Sequence, residues 1–261
     1  MAFLWAAVSY SQPETKMNKT QSAYIDVLIP VYNEGENIIH LIEAFEREVR
    51  TPIRVLICYD RDDDDTLLAL KNVQSRFEIL YVKNEGRFAH GAVMTGIRFS
   101  DAPAVISYMA DDDYNAGLID KMAEMFWQGN EIVCASRFIP GGSMINCPWP
   151  KAFLVRAVSF TLFHLGRLPA HDATNAFRLF SRKLLENIRI ESTEGFTYSF
   201  ELLVKCHRLG MKVAELPAKW FERSKGASRF LVFQWAPAYL RWYFYVYQTT
   251  YFGKKKVQNE I

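Results

Sequence analysis

The sequence alternates between apolar runs of strand length and helical patterns through its first half, and this order constrains the fold more than any other feature. Between the first two runs, Ile38, Leu41 and Phe45 recur at the spacing of one helix face. Strand–helix alternation of this kind predicts an α/β fold, in which a mostly parallel sheet has helices on both faces. The five apolar runs lie at residues 24–33, 53–60, 78–84, 104–111 and 130–138.

The second half of the chain adds helices that are rich in apolar and aromatic residues. Residues 149–168 predict a broad apolar helix, and residues 196–210 predict a helix that ends at Gly210. An aromatic-rich segment at residues 230–252 follows, but a proline and an arginine interrupt it. We therefore expect no membrane-spanning helix.

Two clusters of aspartates follow directly after two of the apolar runs. "YDRDDDDT" occupies residues 59–66, and "MADDDYN" occupies residues 109–115. Bunched carboxylates repel each other unless a cation or hydrogen-bond donors lie between them. Because the carboxyl ends of parallel strands meet at one edge of the sheet, where ligands bind, we expect both clusters at one site.

The two clusters suit different ligands. Asp111 and Asp113 stand two positions apart at a strand end, so both side chains can point into one cleft. Their oxygens suit Mg²⁺ or Mn²⁺, which proteins often bind with one or two carboxylates and substrate phosphates. A solvated acidic turn is the alternative. In the earlier cluster, Asp60 is suited to the polar edges of a nucleoside, and Asp64 or Asp65 to a helix N-cap.

Charge is unevenly distributed along the 261 residues, although the net charge is only +2. The first 150 residues carry 13 Lys+Arg against 21 Asp+Glu, a balance of −8, and the remainder carries 18 against 8, a balance of +10. We expect a cation site in the acidic half and an anionic partner for the basic half. The basic half lacks a recognised nucleic-acid-binding module, so nucleic-acid binding is not expected.

The cysteines and glycines exclude several other kinds of site. The four cysteines lack zinc-ligand spacing, and we expect them to be reduced thiols in the cytoplasm. The sequence contains neither a Walker loop nor the GxGxxG pattern. Gly91 and Gly96 lie near the start of a predicted helix, and close packing is the simplest explanation for them.

Six motifs occur in order along the chain and together resemble family 2 glycosyltransferases of the GT-A fold. They include "IPVYNE", "NEGRFAHGAVMTGI", "DDD", "CASRFIPGG" and "HDATNAFRLF". The chain is most similar to the branch that makes dolichol-phosphate and polyprenyl-phosphate sugars. The resemblance covers about residues 24–230 and implies a nucleotide-sugar-dependent hexosyltransferase with a Rossmann-like GT-A sheet.

The resemblance implies a donor site at the ends of the first two strands. Pro30, Tyr32 and Glu34 match positions that hold the nucleobase and ribose of the donor in this family. Asp60 and Asp64 match the second and the last Asp of the family's "DDGSxD" pattern. The tyrosine before Asp60 stands where the first Asp usually is, which is a departure from that pattern.

The resemblance also implies a metal site. Asp111 and Asp113 match the family's DxD motif, which holds Mg²⁺ or Mn²⁺ and the donor diphosphate. Asn115 stands where the lipid-phosphate branch often has a glutamine that binds the metal. An alternative register uses Asp112 as one of the pair, but the first register is preferred because it places Asn115 at the glutamine position.

Four arginines match basic positions of the lipid-phosphate branch and are expected to meet donor or acceptor phosphate. The planar guanidinium fork fits phosphate oxygens well. A surface charge is the alternative for each of them. They are Arg137, Arg178, Arg223 and Arg229.

The family inverts the anomeric configuration by direct displacement, and Asp113 and Arg137 are expected to stabilise the leaving diphosphate. A lipid-phosphate acceptor is already anionic and needs positioning rather than a general base. A sugar-hydroxyl acceptor needs a carboxylate base, for which Asp172 is the first candidate and Glu201 the second. Processive relatives carry a QxxRW motif that this sequence lacks, so we expect transfer of a single sugar.

The expected organisation is an N-terminal extension at residues 1–23, a GT-A domain at 24–230 and a C-terminal helical segment at 231–261. That segment and the helix at 149–168 combine aromatic and basic residues, which favour the headgroup boundary of a membrane. A buried or dimer-forming helix is the alternative. We expect a cytoplasmic enzyme of cell-envelope biosynthesis, peripheral on the membrane, with a homo-oligomer or a membrane subunit as further partners.

Two other functions stay open from the sequence. A glycosyltransferase that acts on a sugar hydroxyl in surface-polysaccharide assembly would share the fold and the metal site and differ in its acceptor. A catalytically silent nucleotide-binding or membrane-scaffolding protein would keep the fold without turnover, but the ordered motifs argue against it.

Overall fold

The structure is a computed structural model that describes residues 24–222 and 232–253. The expected N-terminal extension at residues 1–23 lies outside the described residues, as do Arg223 and Arg229. The expected C-terminal helical segment is described from residue 232 to residue 253.

The strands and helices agree with the alternation expected from the sequence. Within the described residues the strands are β1 (Ile25–Val31), β2 (Ile53–Tyr59), β3 (Glu78–Lys83), β4 (Ala104–Ser107), β5 (Ile132–Ser136), β6 (Ser143–Ile145), β7 (Arg178–Ser181), β8 (Val213–Pro217) and β9 (Lys219–Phe221). The helices are α1 (Gly35–Glu48), α2 (Asp65–Leu70), α3 (Phe88–Phe99), α4 (Leu118–Trp127), α5 (Trp149–His164), α6 (Arg182–Asn187), α7 (Thr197–Arg208) and α8 (Val232–Tyr247), with a π-helical turn at Gln248–Phe252.

Seven of these strands form one sheet in the order β3–β2–β1–β4–β7–β5–β8. All neighbouring pairs are parallel except those of β7, which runs antiparallel to both β4 and β5. The predicted mostly parallel sheet is therefore confirmed. β6 and β9 pair separately as a small parallel ribbon.

Helix α1 covers one face of the sheet because its apolar residues recur every three or four positions. Ile38, Leu41, Ile42 and Phe45 are all buried. The Phe45 ring contacts the Tyr108 ring edge-on, with 5.3 Å between the ring centroids. This contact packs α1 against Tyr108, which lies between β4 and the second acidic cluster.

Helix α3 lies on the other face and approaches the sheet closely at its glycines. A Cβ on Gly96 would lie 2.8 Å from Cys58 Sγ and 3.2 Å from a methyl carbon of Leu28. A Cβ on Gly91 would lie 2.9 Å from the backbone of Gly86. Close packing is thus the reason for both glycines, as the sequence suggested.

The C-terminal helix α8 packs on the domain with one face and exposes the other. Trp242 and Val246 are buried in the same core as α7, and the indole of Trp242 donates a hydrogen bond to Ser192 Oγ at 2.8 Å. Phe244 is exposed on the opposite face. Among the described residues, none of the helices combines the length and the apolar character needed to cross a bilayer.

Gly96→Ala is expected to lower the free energy of unfolding by about 1–3 kcal/mol, because the new Cβ would overlap Cys58 Sγ. Urea denaturation measures the change. In a Cys58→Ala background, where the sulfur is gone, the same substitution should cost less. An equal cost in both backgrounds would contradict close helix–sheet packing as the reason for this glycine.

Candidate active site

The sheet brings the ends of β2, β1 and β4 together at one edge. Val31 at the end of β1 pairs with Tyr59 at the end of β2. On the other side, the Tyr108 amide donates to the Leu28 carbonyl of β1 at 2.9 Å. The two acidic clusters, which follow Tyr59 and Tyr108 along the chain, therefore begin on either side of the end of β1. This is the edge at which parallel α/β sheets bind ligands.

The central aspartate of the second cluster, Asp112, is turned into the protein. Its carboxylate accepts hydrogen bonds from Asn115 Nδ2 at 2.7 and 2.8 Å, and its carbonyl accepts one from the Tyr108 hydroxyl at 2.8 Å. The pKa of Asp112 is raised to about 7, chiefly because the carboxyl group is buried. The hydrogen bonds from Asn115 oppose this rise, and the charges of Asp111 and Asp113 add to it. Asp112 is thus occupied by internal contacts, which favours the register of Asp111 and Asp113 for a metal.

The residues present fit a divalent cation. Asp111 and Asp113 are half-buried, and burial together with the charges of the three aspartates raises the pKa of Tyr108 above its ordinary value. A hard cation would relieve this negative potential. Within the described ranges there is no cluster of three or more His, Cys, Asp or Glu arranged to hold a metal. Two carboxylates plus diphosphate and water oxygens is the ligand set that Mg²⁺ commonly takes.

Asn115 is held by hydrogen bonds within the protein. Its side-chain NH₂ donates to Asp112 and to the Lys219 carbonyl at 2.7 Å, and its Oδ1 accepts from the Lys219 amide at 3.1 Å. The residue is buried. The amide oxygen that would bind a metal already accepts from a backbone N–H, and the ligand role of Asn115 stays a prediction.

Asp60 keeps a position compatible with donor binding. It follows β2, is half-buried, and accepts a short hydrogen bond from Asn84 Nδ2. Asn84 follows β3, and its Oδ1 accepts from the Gly86 amide at 2.7 Å. Nearby Tyr32 is 44 % exposed at the end of β1. The roles of Tyr32 and Asp60 in nucleoside binding stay predictions.

Pro30 and Glu34 flank Tyr32 at the same edge. Pro30 is half-buried within β1. Glu34 is mostly buried, and one of its carboxylate oxygens accepts from Asn37 Nδ2 at 2.6 Å. The contacts of Pro30 and Glu34 with the donor stay predictions.

Asp64 is a helix cap and not a nucleoside ligand. It is buried, and its carboxylate accepts from the Thr66 amide at 2.9 Å, which caps α2. The same carboxylate accepts from the Asn33 amide at 3.1 Å. The predicted donor contact is therefore wrong in this structure, whereas the alternative assignment of Asp64 as an N-cap is confirmed.

Arg137 and Asp172 form a buried ion pair just beyond the end of β5. Arg137 Nε and an NH₂ group donate to the Asp172 carboxylate at 2.6 and 2.8 Å, and the Arg137 amide donates to it at 3.0 Å. Burial alone would raise the pKa of Asp172, but the charge and hydrogen bonds of Arg137 lower it below its ordinary value. A fully buried carboxylate with this pairing cannot reach an acceptor hydroxyl, so the prediction that Asp172 is a general base is wrong. Arg137 itself retains slight exposure, and its phosphate contact stays a prediction.

Arg178 and Glu201 are also internal. Arg178 is fully buried and donates to the carbonyls of Ser199 and Asp172 at 2.6 and 2.7 Å. Arg178 contacts protein carbonyls and no solvent, so the predicted phosphate contact is not found in this structure. Its hydrogen bond to the Asp172 carbonyl instead stabilises the loop that contains Asp172.

Glu201, the second candidate base, is occupied in the same manner. It is fully buried, accepts from the amides of Glu191 and Ser192 at 2.7 and 2.8 Å, and pairs with Lys205 at 2.8 Å. Its predicted role as a general base is therefore contradicted as well.

Two supporting contacts were not anticipated from the sequence. Asn84 holds the Asp60 carboxylate, and the backbone of Lys219 holds Asn115. Asn84 could have been found, because it is a polar residue directly after a predicted strand, like Asp60 itself. No local pattern marks Lys219, since the contact joins positions 104 residues apart.

Asp172→Asn is expected to lower the free energy of unfolding by about 3–5 kcal/mol, because it leaves the Arg137 guanidinium buried without its counter-ion. A depressed folded-state pKa stabilises the fold above the ordinary Asp value and loses that contribution as pH falls through the folded pKa. The variant has no carboxyl group to protonate at this position. Its free energy of unfolding should therefore fall less than that of the wild-type protein as the pH drops below about 4. Denaturant unfolding at several pH values measures both effects.

The matched control is Asp63→Asn, which removes one partner of the exposed Arg61–Asp63 pair. This control should leave the stability nearly unchanged. If both substitutions had the same small effect, the Arg137–Asp172 pair would not be a buried structural element.

Sequence comparison relates the chain to known glycosyltransferases. A sequence model of glycosyl transferase family 2 matches residues 26–189. Polyprenol monophosphomannose synthase of Mycolicibacterium smegmatis is 25% identical over 214 residues, which cover 78% of this chain and 79% of that protein. Dolichyl-phosphate hexose transferase of Haloferax volcanii is 27% identical over 201 residues, covering 76% and 83%. Dolichol-phosphate mannosyltransferase of Pyrococcus furiosus is 24% identical over 213 residues, covering 78% of this chain but 58% of that longer protein.

Solved structures show the same fold. Glucosyl-3-phosphoglycerate synthase of Mycobacterium tuberculosis, in complex with Mn²⁺, UDP and its product, superposes with a TM-score of 0.61 at 14% identity, covering 87% of this chain and 79% of that one. The same enzyme with Mg²⁺ and UDP gives a TM-score of 0.59 at 15% identity, with the same coverage. The expected GT-A fold is confirmed. With the family model matching more than half of its residues, the chain belongs to glycosyl transferase family 2 and is a nucleotide-sugar-dependent glycosyltransferase.

Proposed function

We propose that this enzyme transfers a single sugar, with inversion and with a divalent cation, from a nucleotide-sugar to a polyprenyl phosphate at a membrane surface. The observation that carries the proposal is that both candidate general bases, Asp172 and Glu201, are fully buried and ion-paired. A sugar-hydroxyl acceptor needs such a base, whereas a phosphate acceptor is already an anionic nucleophile. The geometry therefore favours the acceptor that needs only positioning.

On this proposal the donor lies along the edge formed by β2, β1 and β4. The nucleoside lies against Asp60, Tyr32 and neighbouring β1 residues, which are the predicted contacts at that end. The diphosphate lies toward Asp111 and Asp113, which would hold Mg²⁺ or Mn²⁺. When bound, the cation offsets the charge that develops on the leaving diphosphate. The protein's own part is to hold the two carboxylates and to keep the anomeric carbon in line with the acceptor.

The acceptor lies on the β5 side of the acidic turn. Arg137 is the described arginine of the predicted set that keeps some exposure there, and Arg223 and Arg229 stay predicted phosphate contacts outside the described residues. The relatives named polyprenol monophosphomannose synthase and dolichol-phosphate mannosyltransferase support a lipid-phosphate acceptor. Within residues 24–222 and 232–253, both carboxylates predicted to serve a sugar-hydroxyl acceptor as a base are buried.

An exposed apolar face on α5 supports contact with a membrane. Large apolar side chains are normally buried, and a patch of them on the surface marks an interaction site. Arg156 and Arg167 are exposed beside this face, which suits anionic lipid headgroups. The π-helical turn extends the face, since the Tyr251 hydroxyl donates to the Leu165 carbonyl at 2.7 Å. The large exposed apolar side chains on one side of α5 are Trp149 (78%), Phe153 (69%) and Phe160 (62%), and Leu154 (54%) and Leu165 (52%) are exposed on another side of the helix and just after it.

This face determines where the enzyme would work. A peripheral enzyme on the cytoplasmic side of a membrane would meet a soluble nucleotide-sugar from one side and the phosphate of a polyprenyl lipid from the other. Placement in cell-envelope biosynthesis, and assembly with itself or with a membrane subunit, belong to the same proposal.

Asp113→Asn is expected to lower Mn²⁺-dependent sugar transfer to polyprenyl phosphate by about 100-fold or more, because the site loses one of its two carboxylate ligands. The assay measures lipid-linked product and released nucleotide with UDP-, GDP- and CDP-sugars. Asp63→Asn, an exposed carboxylate of the first cluster, is the control and should keep its activity. Transfer to sugar hydroxyls with none to polyprenyl phosphate would contradict the proposed acceptor.

Replacing both Phe153 and Phe160 with Asp is expected to reduce binding to phosphatidylglycerol–phosphatidylcholine vesicles by about tenfold or more, through loss of apolar area and through charge repulsion. Vesicle co-sedimentation measures it. Phe99→Asp, at a 53 % exposed phenylalanine on α3, is the matched control. Equal loss in the control, or no vesicle binding by the wild-type protein, would contradict the α5 face as the membrane contact.

A further inference from the structure

The acidic turn at residues 111–113 is joined to strand β9 by one side chain. Asn115 bonds both backbone groups of Lys219, donating to the carbonyl at 2.7 Å and accepting from the amide at 3.1 Å. The same side chain donates to both carboxylate oxygens of Asp112. We call these hydrogen bonds the Asn115 link. It connects two parts of the chain that are 104 residues apart.

Neighbouring contacts strengthen this connection. The Tyr114 ring lies 4.1 Å from the Phe221 ring between centroids, so a second residue of the turn also contacts β9. The Leu118 amide, at the start of α4, donates to the Asn115 carbonyl at 2.9 Å. Asn115 thus lies where the acidic turn, α4 and β9 meet.

An amide is the side chain that suits this position. It donates and accepts at once, which the two backbone groups of Lys219 require. It also adds no charge, so it can approach the Asp112 carboxylate without repulsion. An aspartate here could not donate to the Lys219 carbonyl and would repel Asp112. A glutamine would be one methylene longer in a buried site.

We propose that Asn115 is a positioning residue, which holds Asp112 inward and β9 against the acidic turn so that Asp111 and Asp113 keep the spacing needed for a cation. The effect on the cation rests on the proposed metal site, whereas the link to β9 stands on the hydrogen bonds alone. Positioning differs from a ligand role, and it is the role that both polar atoms of the Asn115 side chain already serve through their hydrogen bonds to Asp112 and Lys219.

The first experiment tests the link in metal-free protein. Hydrogen exchange of the Lys219 amide, followed by NMR in the presence of EDTA, is expected to be at least about tenfold faster in Asn115→Ala than in the wild-type protein, since the amide loses its acceptor. Asn130→Ala is the control, because Asn130 Nδ2 donates to the Met125 carbonyl at 2.8 Å at the far end of α4. Unchanged exchange in Asn115→Ala, or the same acceleration in the control, would overturn the link.

The second experiment separates positioning from ligation. Mn²⁺ titration, monitored by EPR, is expected to give about 10-fold to 100-fold weaker binding for Asn115→Asp and Asn115→Gln, the range typical of residues that support a ligand. A metal ligand would behave in the opposite way, since Asp and Gln both offer oxygen to the cation. Wild-type affinity in either variant would overturn the positioning role.

Thermal unfolding of the same variants excludes a trivial loss of structure. Reduced Mn²⁺ affinity in protein that remains folded at the titration temperature supports positioning, whereas lower stability with unchanged affinity contradicts it. If the wild-type protein bound no Mn²⁺, the proposed metal site would fail, and the exchange of the Lys219 amide would still decide the link. Failure to use polyprenyl phosphate would affect neither measurement.

Discussion

Repulsion among three consecutive carboxylates at the end of a buried strand is the constraint on which the active-site edge depends. The fold meets it by giving Asp112 an internal hydrogen-bond donor, Asn115, while all three aspartates are half-buried. Burial is the main reason that the pKa of Asp112 is raised to about 7, and the charges of Asp111 and Asp113 add to the rise. On the proposed function, a cation bound at this turn would remove part of the repulsion that the folded protein already bears.

Buried ion pairs support the rest of the edge. Arg137 with Asp172, and Lys205 with Glu201, use charged residues as internal structure. Removing one partner of such a pair is costly, so these residues can be essential for folding without taking part in chemistry. This explains why residues that match family motifs, such as Arg178, need not contact substrate. Both carboxylates predicted to act as a general base, Asp172 and Glu201, belong to these pairs, which is the basis for proposing a phosphate nucleophile.

The fold could be predicted from the sequence, but the partners of individual side chains could not. Alternating apolar runs and helical periodicity located β1 to β5 and α1 to α4, because both patterns are local. The antiparallel direction of β7 could not be derived in this way, since it depends on how the chain returns between β4 and β5. The same limit applies to the contact of Asn115 with Lys219, 104 residues away, and to that of Asp64 with Asn33, 31 residues away, although the local N-cap role of Asp64 was predicted. Strand-end position correctly placed both acidic clusters at one edge of the sheet, whereas the burial of the individual charged residues could not be predicted.

The central claim is that Asp111 and Asp113 bind the cation while Asp112 and Asn115 hold them in place. Anomalous diffraction from crystals grown with Mn²⁺ and a nucleoside diphosphate tests it most directly. We expect one Mn²⁺ peak within about 2.3 Å of carboxylate oxygens of Asp111 and Asp113, with Asn115 still bonded to the backbone of Lys219. A peak coordinated by Asp112 or by Asn115 Oδ1, or a diphosphate bound without a cation at this turn, would contradict it.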